Sequence, residues 1–222
     1  SSFRCFKQRL SRIKSGGNCS GQRYSDGMLT IALTGGIGSG KSTVSAMLRE
    51  HGAAIFDVDE AARSVLAPGE PGVDDVAARW PEVVAAGVVD RAALAHIVFH
   101  NPAELAQLNA IVHPRTWEKI DADLTEYRRA HPEGIAVVDI ALLATSERRD
   151  AFDLNVVVHA DTETRIRRLT QTRGMNEKDA RARIAAQVDE DELRALADVW
   201  LDNSGTPEHL REQVDALWAR IT

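Results

Sequence analysis

Short apolar runs alternate with longer amphipathic stretches along the chain from Leu29 onward. The apolar runs are rich in β-branched residues and have the length of buried strands, which is typical of a parallel sheet covered by helices on both faces. The pattern therefore predicts an α/β fold. The predicted strands cover residues 29–33, 53–56, 135–140, 154–159 and 199–201.

The amphipathic stretches predict helices, and two of them contain a residue that breaks helices. Pro114 follows His113 inside a long helical pattern, and we expect an interruption there because proline removes a backbone hydrogen bond. Gly174 divides a later, arginine-rich pattern. The predicted helices cover residues 44–50, 60–66, 90–99, 102–129, 162–187 and 207–221.

A glycine-rich segment, GGIGSGKST at residues 35–43, lies between the first predicted strand and the first predicted helix. It fits a phosphate-binding P-loop, because glycines let successive amides point at an anion and the helix N-terminus adds its dipole. We expect Lys41 to reach the β- and γ-phosphates of a nucleoside triphosphate and the Ser42 hydroxyl to bind Mg²⁺. The alternative is a glycine-rich turn without a ligand. The residues expected to hold the nucleotide are Gly36, Gly38, Ser39, Gly40, Lys41, Ser42 and Thr43.

Three acids follow or end predicted strands, where ligands of open α/β sheets gather. Asp59 is the candidate general base for an attacking hydroxyl, with an N-cap of the next helix as the alternative role. We expect Asp57 to be structural or to support the site, and Asp139 to support the hydration shell of Mg²⁺.

Arginines concentrate in the stretch from residue 165 to 187. Half of them are explained by a solvated helix face with pairs such as Glu177 and Arg181. The functional alternative is a mobile lid whose guanidinium groups close over the phosphates and exclude water. The arginines concerned are Arg165, Arg167, Arg168, Arg173, Arg181 and Arg183.

Composition limits the remaining functions. The net charge of −6 argues against general nucleic-acid binding, and no apolar run has the length of a membrane span. Both cysteines, Cys5 and Cys19, lie in residues 1–27, so the body of the chain suits a reducing cytosol. Those residues are basic and serine-bearing, and we expect a disordered leader that is a tag or mis-assigned start, with a transit peptide as the alternative.

The motifs together resemble the dephospho-CoA kinases, most closely their actinobacterial members. The resemblance covers residues 28–221 and rests on an ordered set of segments: LTGGIGSGKSTVS, FDVDEAAR, DRAALAHIVF, LNAIVHP, VVDIALL, RGMNEKDARARIAAQ and ADVWLDNSG. It implies an adenylate-kinase-like P-loop fold with a five-stranded parallel sheet, a helical acceptor region at about residues 60–130 and a lid at about 165–187. It also implies ATP with Mg²⁺, dephospho-CoA as the acceptor, and a cytoplasmic monomer or weak homo-oligomer.

The resemblance also assigns roles residue by residue. Asp59 matches the proposed base for the ribose 3′-hydroxyl. Asn203 and Gly205 match the turn near the adenine, and Arg173 matches a lid residue with a catalytic role. Residues that match or flank the acceptor site are Asp57, Asp59, Arg63, His113 and Asp139.

Two positions depart from the family pattern, which usually has proline at Ala141 and glutamate at Thr145. We expect activity to survive, with weaker binding of the acceptor. Three other functions remain open from the residues: another small-molecule P-loop kinase, a non-catalytic ATP-binding protein and a GTPase-type switch. The GTPase-type switch is disfavoured because the sequence lacks an Asn-Lys-x-Asp motif and an Asp-x-x-Gly switch after the third strand: the residue three positions after Asp139 is Leu142, not glycine.

Overall fold

The computed structural model describes residues 27–222, so the expected leader lies outside the described residues except for Gly27. The chain divides into two compact units. Of the described residues, the core unit comprises residues 27–55 together with His131–Thr222, and the helical unit comprises Phe56–Ala130.

A five-stranded sheet with the order β2-β5-β1-β6-β7 forms the centre of the fold, and β3 pairs with β4 in a short antiparallel hairpin. β1 pairs in parallel with both β5 and β6, and β6 pairs in parallel with β7. In chain order the strands are β1 (Leu29–Gly35), β2 (Ala54–Asp57), β3 (Val84–Ala85), β4 (Val88–Val89), β5 (Ile135–Asp139), β6 (Leu154–His159) and β7 (Val199–Asp202).

Helices occupy much of the remaining chain. In chain order they are α1 (Lys41–Glu50), α2 (Val58–Ser64), α3 (Pro71–Arg79), α4 (Arg91–Phe99), α5 (Pro102–Ala130), α6 (Thr162–Arg173), α7 (Glu177–Ala185), α8 (Glu190–Leu196) and α9 (Pro207–Ile221). Single 3₁₀ turns lie at Pro81–Val83 and Leu143–Thr145. None of the helices between residues 27 and 222 combines the length and the apolar character needed to cross a bilayer.

The central strands bury their side chains on both faces, which explains their continuous apolar sequences. In the core unit, α1 and α9 cover one face of the sheet and contribute Val44, Leu48, Val214 and Leu217 to its main apolar cluster. This burial fixes β1, and with it the position of the glycine-rich loop that follows.

The helical unit has an apolar cluster of its own, with the buried Trp80 and Leu94 among its members. The indole N–H of Trp80 donates to the carboxylate of Glu104 at 2.9 Å, and Arg79 forms an ion pair with the same carboxylate. These contacts tie the end of α3 to the long helix α5.

All five strands predicted for the sheet are present, but the expected interruption of the long helix at Pro114 was wrong. Helix α5 continues through Pro114 without a break. Its buried Thr116, Ile120 and Leu124 continue the packed face beyond the proline, which removes only its own N–H from the ladder. Helices α3 and α8 and the β3–β4 hairpin were not predicted.

Candidate active site

The glycine-rich loop has the backbone shape that phosphate binding requires. β1 is buried along its whole length and ends at Gly35, and α1 begins at Lys41. Gly38 and Gly40 have φ of 78° and 91°, a region that other residues rarely adopt. The chain therefore turns tightly into the N-terminus of α1, whose first amides have no partner within the helix.

The side chain of Asn203 closes one side of this loop. Its amide nitrogen donates to the carbonyl of Ser39 at 2.7 Å, and the residue is buried. A Cβ at Gly40 would lie 2.1 Å from that nitrogen, so Asn203 can pack against the loop only because Gly40 has no side chain. The turn after β7 is thereby fixed against the loop, with Gly205 exposed at its end.

The ammonium group of Lys41 pairs with the carboxylate of Asp139. Asp139 is the last residue of β5, is buried, and lies beside Leu33 of β1 in the sheet register. Lys41 is the first residue of α1. The sequence associated these two residues with the same phosphate and magnesium chemistry, and the core unit brings them into contact.

Two arginines of α6 donate hydrogen bonds to loop carbonyls. Arg168 Nη1 lies 3.4 Å from the Gly38 carbonyl and 3.3 Å from that of Ser39, while its Nη2 donates to the Asn203 carbonyl at 2.9 Å. Arg165 Nε donates to the Ile37 carbonyl at 2.8 Å. Burial lowers the pKa of both guanidinium groups, and the charge of Arg167 adds to the lowering at Arg168.

The other arginines of the stretch lie on exposed surface. Arg181 pairs with Glu177 and with Glu163, and the hydrogen bond that it donates to the Glu177 carboxylate is the main cause of its raised pKa. Arg173 is exposed at the end of α6, where Gly174 ends the helix in the left-handed conformation. The solvated-face explanation therefore holds for Arg181.

Oxygen ligands for Mg²⁺ are available at the loop. The exposed Ser42 is the second residue of α1, and the carboxylate of Asp139 stands at the neighbouring strand end. Hydroxyl and carboxylate oxygens suit this ion, which keeps several waters and bridges to phosphates. Among residues 27–222 there is no group of three or more His, Cys, Asp or Glu arranged as a metal cage. The donor set thus fits an ion that arrives with a nucleotide.

Within the helical unit, the acids after β2 have distinct positions. Asp57 caps α2, its carboxylate accepting the Glu60 N–H at 2.9 Å. Asp59 lies in the first turn of α2 and is exposed, so the expected alternative that Asp59 is the cap was wrong. Arg63 lies one turn further along the same helix and is also exposed. The spacing of four residues puts Asp59 and Arg63 on one face of α2.

Two other residues of the helical unit, His113 and Arg91, lie in the expected acceptor region. His113 is exposed on α5 directly before Pro114. Arg91, from the segment DRAALAHIVF, donates to the Arg63 carbonyl at 2.7 Å and so holds the C-terminal end of α2. The sequence did not predict this contact, since it joins residues 28 positions apart.

The sequence also missed Gln187, whose side-chain oxygen accepts the N–H of Ile37 at 3.0 Å. It was visible only as the last letter of RGMNEKDARARIAAQ, without a chemical role attached. A polar residue just after a helical pattern gives no signal of its partner, because that partner is a backbone amide 150 positions away.

Comparison with known proteins gives one consistent result. The family model for dephospho-CoA kinase matches residues 29–208. The chain is 41% identical to the dephospho-CoA kinase of Thermobifida fusca over 196 residues, covering 87% of this chain and 96% of that protein. It is 45% identical to the dephospho-CoA kinase of Leifsonia xyli over 196 residues, covering 87% and 99%.

Two solved structures have a similar fold. TT1252 from Thermus thermophilus superposes with a TM-score of 0.74 at 34% identity, covering 87% of this chain and 98% of that one. The dephospho-CoA kinase of Campylobacter jejuni shares the fold, with a TM-score of 0.63 at 19% identity and coverage of 88% and 98%. With the P-loop geometry described above, these matches show that the chain belongs to the dephospho-CoA kinase family.

Proposed function

We propose that this protein transfers the γ-phosphoryl group of ATP to the 3′-hydroxyl of the dephospho-CoA ribose, forming coenzyme A and ADP. The observation that carries the proposal is the loop at residues 36–43, shaped by Gly38 and Gly40 and held by Asn203, in a chain of this family. Family membership favours this acceptor over the nucleosides and other alcohols used by related P-loop kinases.

The loop binds the triphosphate through its backbone. The carbonyls of Gly38 and Ser39 accept hydrogen bonds from Arg168, and that of Ser39 also accepts one from Asn203, while we expect amides of the loop and of the start of α1, beginning with that of Gly38, to donate to phosphate oxygens. The two guanidinium groups beside the loop add positive potential next to a polyanion.

Lys41 supplies a positive charge for the phosphates. Its ammonium pairs with Asp139 and lies at the start of α1, from which it reaches the β- and γ-phosphates. Ser42 and Asp139 are the residues that would hold Mg²⁺, directly or through its water shell. Bound with ATP, the ion neutralises charge on the phosphate oxygens.

Asp59 is the proposed general base. The ribose 3′-oxygen attacks the γ-phosphorus, the bond from that phosphorus to the β,γ-bridging oxygen breaks, and ADP leaves with its electron pair. The proton of the 3′-hydroxyl passes to the Asp59 carboxylate, which is exposed and free to meet an acceptor. Asp57 keeps α2 capped, while Arg63 and His113 are proposed to bind anionic or polar groups of the acceptor.

Arg173 is the proposed catalytic residue of the lid. It is exposed at the α6–α7 turn, where Gly174 gives the backbone freedom to move. We propose that this turn closes over bound ATP, brings Arg173 to the transferred phosphoryl group and excludes water. Asn203 and Gly205 would border the adenine. We propose that the reaction takes place in the cytosol, since residues 28–222 contain no cysteine and suit a reducing compartment. We propose a monomer or weak homo-oligomer as the acting species.

An acceptor panel tests the proposal. Purified protein with ATP and Mg²⁺ is given dephospho-CoA, AMP, adenosine or shikimate, and products are identified by mass spectrometry. We expect phosphorylation of dephospho-CoA at a kcat/KM at least about 100-fold above the other acceptors, because a site that binds the whole molecule rejects fragments. A preference for any other acceptor would replace the proposal with that activity.

A further inference from the structure

Both backbone groups of Ile37 are held by side chains from a distant part of the chain. The N–H of Ile37 donates to Gln187 Oε1 at 3.0 Å, and its carbonyl accepts from Arg165 Nε at 2.8 Å. Arg165 also donates through Nη2 to the same Gln187 oxygen. The three groups therefore form a closed ring of hydrogen bonds, here called the Ile37 clamp.

The clamp joins the two ends of the α6–α7 helical hairpin to the glycine-rich loop. Arg165 lies in the first turns of α6, whose N-terminus is capped by Asp161, and Gln187 follows the end of α7. Gly36 makes room for both: a Cβ there would lie 2.6 Å from Arg165 Nη2 and 2.9 Å from Gln187 Oε1. The glycine at position 36 thus serves the clamp as well as the loop.

Burial and charge favour a positioning role. The Arg165 guanidinium is partly buried, and its hydrogen-bond partners in the clamp are neutral oxygens of Ile37 and Gln187. Neutral partners leave the positive charge uncancelled at that point, beside a loop that binds an anion. The Ile37 amide is already used by Gln187, so phosphate recognition starts at the next amide, that of Gly38.

We propose that Arg165 and Gln187 are positioning residues for ATP: by holding both backbone groups of Ile37, they keep the curvature with which the loop presents its amides, beginning with that of Gly38, to the phosphates. This rests on the proposed function only in that ATP is the ligand. The clamp also fixes the base of the hairpin, so closure over ATP is confined to the segment around Gly174.

The test compares ATP affinity and turnover in variants of the full chain. Gln187→Met keeps the length of the side chain but removes the acceptor, and Gln171→Met makes the same change at an exposed position of α6. We expect Gln187→Met to raise the Kd of ATP–Mg²⁺, measured by calorimetry, and the KM for ATP about tenfold, as loss of a well-placed polar contact does. The kcat at saturating ATP and the KM for dephospho-CoA should stay within about twofold of wild type.

A conservative variant separates positioning from general packing. Gln187→Glu retains an oxygen for the Ile37 N–H and for Arg165 but adds a negative charge beside the loop, so its Kd for ATP should lie between those of wild type and Gln187→Met. Arg165→Met should weaken ATP binding at least as much as Gln187→Met, because it also removes a positive charge beside the loop. The double variant should raise the Kd of ATP by less than the product of the two single effects, because both residues act on Ile37. Ligand-free thermal unfolding is followed in parallel.

The outcomes are separable. Wild-type ATP affinity in Gln187→Met, or an equal loss in Gln171→Met, would overturn the clamp. The clamp would also be overturned if the loss of ATP affinity in Gln187→Met were no larger than its unfolded fraction explains. If Gln187→Met does not fold, Arg165→Met against Arg165→Lys is judged by the same criteria. Wild-type protein that binds ATP but never forms coenzyme A would defeat the proposed function and leave the clamp testable by binding alone.

Discussion

Lys41 and Asp139 form an ion pair between the first residue of α1 and the last residue of β5. The parallel register places Asp139 beside Leu33, so the carboxylate lies next to the strand that leads into the glycine-rich loop. Asp139 is buried and its charge is therefore compensated by Lys41. The pair links the stability of the core unit to the residue that we propose to bind the phosphates.

Two variants of this pair should distinguish its effect on stability from its effect on activity. Lys41→Met leaves a buried carboxylate without its ammonium partner and should lower the free energy of unfolding by about 3 kcal/mol. The double variant Lys41→Met/Asp139→Asn removes both charges and should recover much of that loss. Both variants should have kcat/KM at least about 10³-fold below wild type, because the charge over the phosphates is gone.

Denaturant unfolding and steady-state kinetics measure the two effects, with Lys119→Met as control at an exposed lysine whose pair with Asp123 is on the surface. Equal stability of Lys41→Met and the double variant would show that the unpaired Asp139 carboxylate is not what destabilises Lys41→Met. Retained turnover would show that Lys41 is not part of the reaction.

Gly40→Ala should abolish ATP binding. The new Cβ would lie 2.1 Å from Asn203 Nδ2 at a φ of 91°, so both the loop and the Asn203 contact with Ser39 must shift. Gly52→Ala is the matched control, since Gly52 also has a positive φ, 107°, but nothing lies within 4 Å of its Cβ. Both changes carry backbone strain of about 1 kcal/mol.

Calorimetric titration with ATP–Mg²⁺ distinguishes the two glycines. We expect Gly52→Ala to bind as wild type does and Gly40→Ala to show no binding. If the two variants bind ATP equally, the contact between Asn203 and the loop does not shape the phosphate site.

Asp59→Asn should lower kcat about 100-fold or more while the Kd of ATP changes little, because the amide cannot accept the proton of the ribose hydroxyl. Glu60→Gln removes a neighbouring exposed carboxylate in the same helical turn and should leave kcat unchanged. Rapid-quench measurement of the phosphoryl-transfer step, with ATP binding measured separately, checks both. A kcat for Asp59→Asn near wild type would remove Asp59 from the chemistry.

Asp161→Ala should destabilise the protein at neutral pH and have less effect in acid. Asp161 caps α6, and the hydrogen bond from the Thr164 backbone is the main reason its pKa lies below the ordinary 3.8. Loss of such a cap costs about 1 kcal/mol. Because the folded-state pKa is lowered, the stabilisation is present above pH 3.8 and is lost as the pH falls through the folded-state value.

The difference in Tm between wild type and Asp161→Ala should therefore shrink below pH 3.8. Asp150→Ala, at a strongly exposed aspartate, is the control and should change Tm little at any pH. A constant difference in Tm across this range would mean that the charge of Asp161 does not stabilise the cap.

Thr145→Glu, alone or with Ala141→Pro, should lower the KM for dephospho-CoA and leave ATP affinity unchanged. Thr145 ends the 3₁₀ turn after β5 and is exposed, as is Ala141, so both changes can be accommodated without repacking. Steady-state kinetics with each substrate varied in turn measure this. An unchanged KM for the acceptor would show that these two positions do not affect its binding.

Much of the fold was predictable because its signals are local. The strands of the sheet are continuous apolar runs, and the glycine-rich loop places its chemistry in consecutive residues. Pro207 at the start of α9 and Gly174 at the end of α6 also act where they stand in the sequence. For such elements, backbone preferences and burial agree, so the pattern alone identifies them.

The remaining features depend on contacts between distant residues. Pro114 signals a break, but packing of Ile120 and Leu124 continues α5 past it. The pattern before Glu60 indicated only Asp59 as a possible cap, and the helix start at Val58 makes Asp57 the cap instead. The roles of Arg165 and Gln187 were equally hidden, since their partner is the backbone of Ile37.

Coenzyme A formation, measured with ADP release in the same reaction, is the decisive experiment. With ATP, Mg²⁺ and dephospho-CoA we expect one ADP for each coenzyme A, and without the acceptor an ADP signal at least about 100-fold smaller, because the site activates an alcohol and excludes water. ADP release at the same rate with and without dephospho-CoA, or no coenzyme A from protein that binds ATP, would contradict the proposed kinase activity.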